Sequence, residues 1–293
     1  MKRLSNVVIA LAIAIVAAAT AHPARSQSRA APVRIISIVP ATTEMLFAIG
    51  AGPAVVGVSS YDKFPKEVAD LPKVGALLNP DVERILSLRP DLVVVYGTQS
   101  NLREQLARTK ITVYPYRHGG LADALRTMRE LGEMTGHTSE ARNLTQRIDS
   151  ELDAVRRRVT GRQRKRTLLV FGREPLALRN IYASGGYGFL HDLLEIAGGA
   201  NVFAGLKRES LQMTAETVLA QRPEVIVELK VGPEPAAAVQ AQETASWNVL
   251  AAVPAVRDRR VHLLWGEELV VPGPRVATAA LRLARAIHPE AFR

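Results

Sequence analysis

Two glutamates in matched settings are the first residues of this 293-residue chain whose type and spacing suggest chemistry. The stretch DVERILSLRPDLVVV (81–95) returns as TAETVLAQRPEVIVE (214–228) without a gap. Glu83, Leu86, Arg89, Pro90 and Val94 recur as Glu216, Leu219, Arg222, Pro223 and Val227, at a constant offset of 133 (83 to 216, 90 to 223). Each glutamate falls in the first turn of a predicted helix, where a carboxylate is favoured by roughly 0.3–1 kcal/mol. A single first-turn acid is an ordinary helix feature. A matched pair, one in each half of the chain, suits a two-subunit partner that offers one basic pocket per subunit.

Other reactive constellations are sparse. Glu267 and Glu268 could in principle move protons, but adjacent residues seldom converge on one substrate. A bare zinc or manganese ion needs three or four converging ligands. His118, His191 and His262 occur singly, so no metal site is expected. GGYGFLH (185–191) copies half of G-x-G-x-x-G, with His191 where the third glycine belongs. G-x-S-x-G, H-E-x-x-H and P-loop motifs are missing, and so is cysteine, which removes thiol nucleophiles, thiolate metal sites and disulfides. An enzyme is therefore the minor alternative, and stoichiometric capture is expected rather than turnover.

Elements that could position the glutamates are easily found. RIISIV (34–39), AVVGVS (54–59), LVVVY (92–96) and ITVYPY (111–116) are apolar on consecutive residues, as in strands buried on both faces of a parallel sheet. They alternate with helical patterns, which predicts a doubly wound α/β lobe over 32–136. The rhythm then breaks. LADALRTMRELGEMTG is one amphipathic helix ended by Gly136, and TSEARNLTQRIDSELDAVRRRV is a second, with Thr138 or Ser139 placed to cap it and Gly161 to close it. Leu144, Ile148, Leu152 and Val155 form its apolar stripe, so 137–161 reads as a rigid interdomain rod of about 30 Å. Alternation resumes with RTLLVFG (166–172), FLHDLLEIAGG (189–199), EVIVEL (224–229), RVHLLW (260–265) and PRVATAALRLARAI (274–287), giving a second α/β lobe over 162–293. A helical linker permits only modest lobe closure, unlike a Gly/Ser tether. In each copy of the repeat, Arg-Pro stops a short helix before a buried strand. Val82, Ile85 and Leu86, like Ala215, Val218 and Leu219, fall on one apolar face, with the glutamate beside it.

At the N-terminus Lys2 and Arg3 precede an apolar run from Val7 to Ala19, followed by Ala19-Thr20-Ala21. The run is shorter than the roughly 20 residues a spanning helix needs. The pattern predicts a signal peptide over 1–21 and export to the periplasm, with no cysteine for a lipid anchor. The net charge of +10 is concentrated in RRR (156–158) and GRQRKR (161–166). Cations there suit a helix C-terminus and a solvated face, so nucleic acid is not an expected partner.

RIISIVPATTEMLFAIG, VVGVSSYDKFP, NPDVERILSLRPDLVVVYG and FLHDLLEIAGGANVF resemble the helical-backbone substrate-binding proteins of ABC importers, most closely their vitamin B12 (cobalamin) branch. The resemblance runs from about Arg34 to Ile287. It implies two α/β lobes joined by one long helix, a monomer with its ligand in the cleft, and a glutamate from each lobe docked into arginine pockets of a permease dimer. Those glutamates fall on Glu83 and Glu216. Loops at strand C-termini would line the cleft, and Thr42, Tyr61, Leu77, Tyr96, Gly172, Tyr187, Trp265 and Glu267 are the expected ligand contacts. Tyr61 and Tyr96 match positions that contact the corrin ring in cobalamin binders, and Glu267 matches an acidic one. Leu77 and Ser210 stand where those proteins carry tryptophans, and Val271 replaces an arginine. Haem binders of the family resemble VGYxxxLxxEGIL with a ligating tyrosine; here VGALLNPDVERIL has Ala76 at that place. Ferric siderophores are the remaining ligand class. No resident cofactor is expected.

Overall fold

The computed structural model describes residues 31–293; the predicted signal peptide at 1–21 lies outside them. Two sheets organise the chain. The first is all parallel, β1 (Ile35–Ser37), β2 (Val55–Val58), β3 (Leu92–Tyr96) and β4 (Thr112–Tyr116), in the order β2-β1-β3-β4. Leu92 to Val95 are all buried, as uninterrupted apolar strands must be when helices cover both faces. Helices α1 (Pro40–Ala48), α2 (Val82–Ser87), α3 (Ser100–Ala107) and α4 (Leu121–Thr135) complete this lobe.

The second sheet is mixed. It contains β5 (Lys165–Gly172), β6 (Ile181–Ser184), β7 (Gly199–Asn201), β8 (Ser210–Met213), β9 (Val225–Lys230) and β10 (Val261–Trp265). Their order is β10-β9-β5-β6-β8. β9 and β10 continue β5 in parallel, whereas β6 and β8 form an antiparallel arm. One edge of β5 is shared, with β7 paired along Lys165–Thr167 and β6 along Val170–Gly172. The arm was not apparent from sequence because IYAS and SLQM are short and partly exposed, without a β-branched run. Helices α6 (Phe189–Ile196), α7 (Ala215–Gln221), α8 (Ala237–Ala245), α9 (Pro254–Arg257) and α10 (Val276–Ile287) flank this sheet.

Helix α5 (Thr138–Val159) joins the lobes and spans about 33 Å. Its stripe of Ala141, Leu144, Ile148, Leu152, Val155 and Val159 is buried. One continuous core contains that stripe together with Met128 and Leu131 of α4, Leu193 and Leu194 of α6, and Leu283 of α10. The expected cap is corrected: His137 is the N-cap, no side chain caps the helix, and the Ser139 hydroxyl bonds Glu140. The cause is a tight corner. α4 ends at Gly136 in the left-handed region (φ 78°), and the chain enters α5 almost at once. A Cβ on Gly132 would stand 2.4 Å from the Ala141 Cβ, so the two helices touch nearly backbone to backbone.

The repeat is held by the same clamp twice. Arg34 opens β1; its Nη2 donates to Leu88 O (2.7 Å) at the end of α2, while its N–H donates to Asp91 Oδ2 (3.0 Å). Arg166, in β5, donates from Nη2 to Gln221 O (2.7 Å) at the end of α7, and from its N–H to Glu224 Oε2 (2.8 Å). Arg89 (φ 47°) and Arg222 (φ 46°) both turn left-handed before their prolines. The two short helices are thus mounted alike.

Because both lobes share the core along α5, Ile148→Ala is expected to destabilise by about 3 kcal/mol and to leave one cooperative transition. Urea unfolding followed by fluorescence of Trp247 and Trp265, both in the second lobe, and by far-UV circular dichroism should coincide; separated midpoints would show lobes that unfold independently.

Candidate functional site

The C-terminal edges of both sheets deliver loops to the cleft between the lobes. Tyr61 is 71% exposed on the loop after β2, and Leu77 is also open. Tyr96, ending β3, is half-buried, and its N–H is accepted by Gln99 Oε1 (2.9 Å). Gln99 Nε2 in turn donates to Leu77 O (3.0 Å). Gln99 therefore fixes two predicted site residues at once, a role that no local pattern announces. Thr42 is a correction. It is wholly buried and its hydroxyl bonds Ser37 Oγ (2.8 Å) and Val39 O (3.0 Å), so it secures the β1–α1 turn and cannot meet a ligand.

A row of rings crosses from the first lobe to the second. Tyr96 meets Tyr116 edge to face at 6.3 Å, Tyr116 meets His118 at 6.3 Å, and His118 meets Phe189 at 5.7 Å. At its far end lies a pocket of about 260 Å³ lined by His118, Phe171, Tyr187, Phe189, Ser210 and Val270, among others. Of the predicted contacts only Tyr187 lines it. Gly172 follows Phe171, and a Cβ there would make only ordinary contact with Tyr182 (3.7 Å). Trp265 is half-buried beneath Lys230, whose Nζ is 5.9 Å from its ring. Arg173, next to Gly172, turns inward to buried Glu228 (2.8 Å) and Glu243 (2.7 Å) and offers no charge to the cleft.

Charges bridge the lobes at one end. Arg275 grips Glu44 with two bonds, Nε to Oε2 at 2.9 Å and Nη2 to Oε1 at 2.6 Å, and lies 4.1 Å from the Phe64 ring centroid. Bidentate pairs of this kind fix geometry as well as charge. Burial raises the Glu44 pKa, and Arg275 opposes that shift. Lys63 Nζ reaches Glu267 Oε1 at 2.9 Å. Glu268 turns instead to Arg275 (3.6 Å) and Arg282, so the adjacent acids do not converge. At the other end Asp192 Oδ2 accepts the Leu121 N–H (2.7 Å), and the Phe189 N–H donates to Gly119 O (3.1 Å). Gly120 has no room for a Cβ there, which would lie 2.7 Å from Asp192 Oδ2. His191 bonds Asn201 and His262 sits within β10; no group of His, Asp or Glu among the described residues could hold a metal ion.

Glu83 and Glu216 are exposed, away from these contacts, and no ion pair engages either among the described residues. The Thr214 side chain lowers the Glu216 pKa. Their helices bury only Ile85 and Val218; Leu86 and Leu219, expected on the buried stripe, are 42% and 40% exposed. The inward face of each short helix is instead the i, i+3 pair, Val82 with Ile85 and Ala215 with Val218, and the leucine about 100° further round is left outside.

Asp62 is the least satisfied group near the cleft. It is 5% exposed and neither carboxyl oxygen has a hydrogen-bond partner. Burial pushes its pKa up to about 7 against the lowering influences of Thr43, Ser59 and Lys73, and its charge adds to the burial that raises the Tyr96 pKa. A carboxyl with its folded pKa above the unfolded 3.8 favours the folded state at low pH. That advantage fades as pH rises through about 7, costing on the order of 4 kcal/mol once ionised. Asp62→Asn is expected to raise unfolding free energy at pH 8 and to flatten its dependence between pH 4 and 7. Equal slopes in denaturant titrations of variant and parent would refute that assignment.

The chain matches the family model described as "Periplasmic binding protein" over residues 35–266. It is 30% identical over 196 residues to the vitamin B12-binding protein of Yersinia pestis (strain Pestoides F), covering 66% of this chain and 68% of that one. The structure is similar to the periplasmic vitamin B12 binding protein of Vibrio cholerae (TM-score 0.73, 22% identity, 90% of this chain and 100% of that one). It is likewise similar to a periplasmic heme binding protein from Pseudomonas aeruginosa (TM-score 0.72, 22% identity, 88% and 93%). No helix among the described residues is long and apolar enough to cross a membrane. With two α/β lobes, one connecting helix and a cleft between sheet edges, the chain belongs to the periplasmic binding protein family, a family of substrate-binding proteins.

Proposed function

We propose that this chain is exported to the periplasm, captures cobalamin or a related corrinoid in the cleft, and delivers it to an ABC permease dimer. The observation that carries the reading is the 30% identity to a vitamin B12-binding protein, in a chain whose cleft presents open aromatic faces. A corrin is a broad macrocycle edged with amides, best held on ring faces with few charges. Tyr61 and Tyr187, both more than half exposed, and Tyr96 supply such faces. Leu77 and Trp265 extend the apolar rim, Gly172 keeps the backbone low beside Phe171, and Glu267 offers an amide acceptor once Lys63 moves aside. A macrocycle is larger than the 260 Å³ pocket, so it rests on the rim with one edge inserted beside His118. Haem is disfavoured because Ala76, at the place of the ligating tyrosine in haem-binding relatives, is a buried methyl. Glu83 and Glu216 dock the two lobes on the permease.

Titration of the mature protein with cyanocobalamin in a calorimeter, with haemin and a ferric siderophore alongside, is expected to give saturable one-to-one binding of the corrinoid alone. Tyr61→Ala with Tyr96→Ala should weaken it about tenfold or more. Saturation by haemin instead would reassign the ligand. Glu83→Ala with Glu216→Ala should abolish stimulation of permease ATPase and leave corrinoid affinity intact; lost affinity would mean that the cleft and docking faces have been confused.

A further inference from the structure

The repeat duplicates more than a charge. Glu83 and Leu86 stand three residues apart on α2, hence on one face, and Glu216 and Leu219 stand likewise on α7. All four are exposed, and the leucines are open to nearly the same degree, 42% and 40%. Both helices are fixed at the C-terminal end by the same arginine clamp, from Arg34 and from Arg166. Both end in a left-handed arginine whose φ differs by one degree between the copies. An isolated exposed leucine means little. Two that recur with their acid, helix, clamp and terminating turn form a module presented twice.

We infer that Leu86 and Leu219 are docking residues: each lobe offers an acid–leucine pair, and the occupant is a partner built from two copies of one subunit, each with a basic pocket beside an apolar one. This rests on the docking reading above and deepens it. The glutamates, open and unpaired, steer encounter and set register. The leucines, once covered, exclude water around the charged contacts and supply the apolar burial that slows dissociation. The duplication selects the partner's symmetry, since one asymmetric surface has no use for two identical grips. A single lobe alone would hold only transiently, and engaging both makes the second contact intramolecular.

The test places a photo-cross-linking amino acid at 83, 86, 216 or 219 of the full chain in the cells that produce it, with mass spectrometry of the trapped protein. Positions 86 and 219 are expected to trap the same ABC permease subunit. Purified Leu86→Ser/Leu219→Ser protein should leave membranes containing that subunit about tenfold faster or more than the parent. Its association rate, salt dependence and cyanocobalamin isotherm should be unchanged. Glu83→Gln/Glu216→Gln should instead slow association and flatten its salt dependence. If 83 and 216 trap the permease while 86 and 219 trap nothing, or if the serine variant dissociates at the parental rate, the leucine contribution is wrong and the glutamate docking stands. If none of the four positions reaches a permease, the docking reading itself fails.

Discussion

The apolar stripe of α5 is buried from Ala141 to Val159, and helices of both lobes do the burying. Six side chains removed from water contribute on the order of 10 kcal/mol, comparable with the whole stability of an ordinary domain. Neither lobe can turn far against the other without exposing part of that stripe. The cleft is consequently a preformed space with firm walls. Contacts across it, from Glu44–Arg275 at one end to Asp192–Leu121 at the other, adjust a frame that the core has already set. Preformed sites lose less freedom on binding, which favours the capture of a rigid ligand.

Much of that frame is legible in the sequence. Uninterrupted runs such as LVVVY mark strands buried on both faces, and the two long helices end just before a glycine, although α5 starts earlier than its expected cap. The antiparallel arm of β6 and β8 left no such trace, because its residues alternate with solvent over only four positions each. The site was legible in part. Tyr61, Leu77 and Tyr187 are open, as loop residues at strand ends should be, whereas Thr42 is consumed by its own turn. Glu44 and Arg275 lie 231 residues apart, and no local pattern can join them. Gln99 and Asp62 are silent in the sequence for the same reason: their importance is a matter of what surrounds them, not of type or spacing.

The recurring paragraph shows how a sequence repeat is kept as a structural one. Its glutamates stand exposed, and its foundation is fastened. In each lobe an arginine at the start of the neighbouring strand satisfies helix-end carbonyls that would otherwise lack a partner. An acid just past the proline then fastens that arginine's backbone. Different residues, Asp91 in one lobe and Glu224 in the other, do this work with chains of different length. The sheets around them differ, one parallel and the other mixed, while the mounting of the two helices is the same.

Gly132 lies about 18 Å along α4 from Gly120 at the cleft. It allows α4 and α5 to approach so closely that a methyl group on it would collide with Ala141. The spacing of α4 and α5, two helices of the shared core, therefore rests on a gap one carbon wide. The atoms that crowd Gly132 belong to Ala141 and His137, so cleft side chains can be exchanged for those suited to another ligand without touching that gap. Gly132 thus shapes the frame through the side chain it lacks.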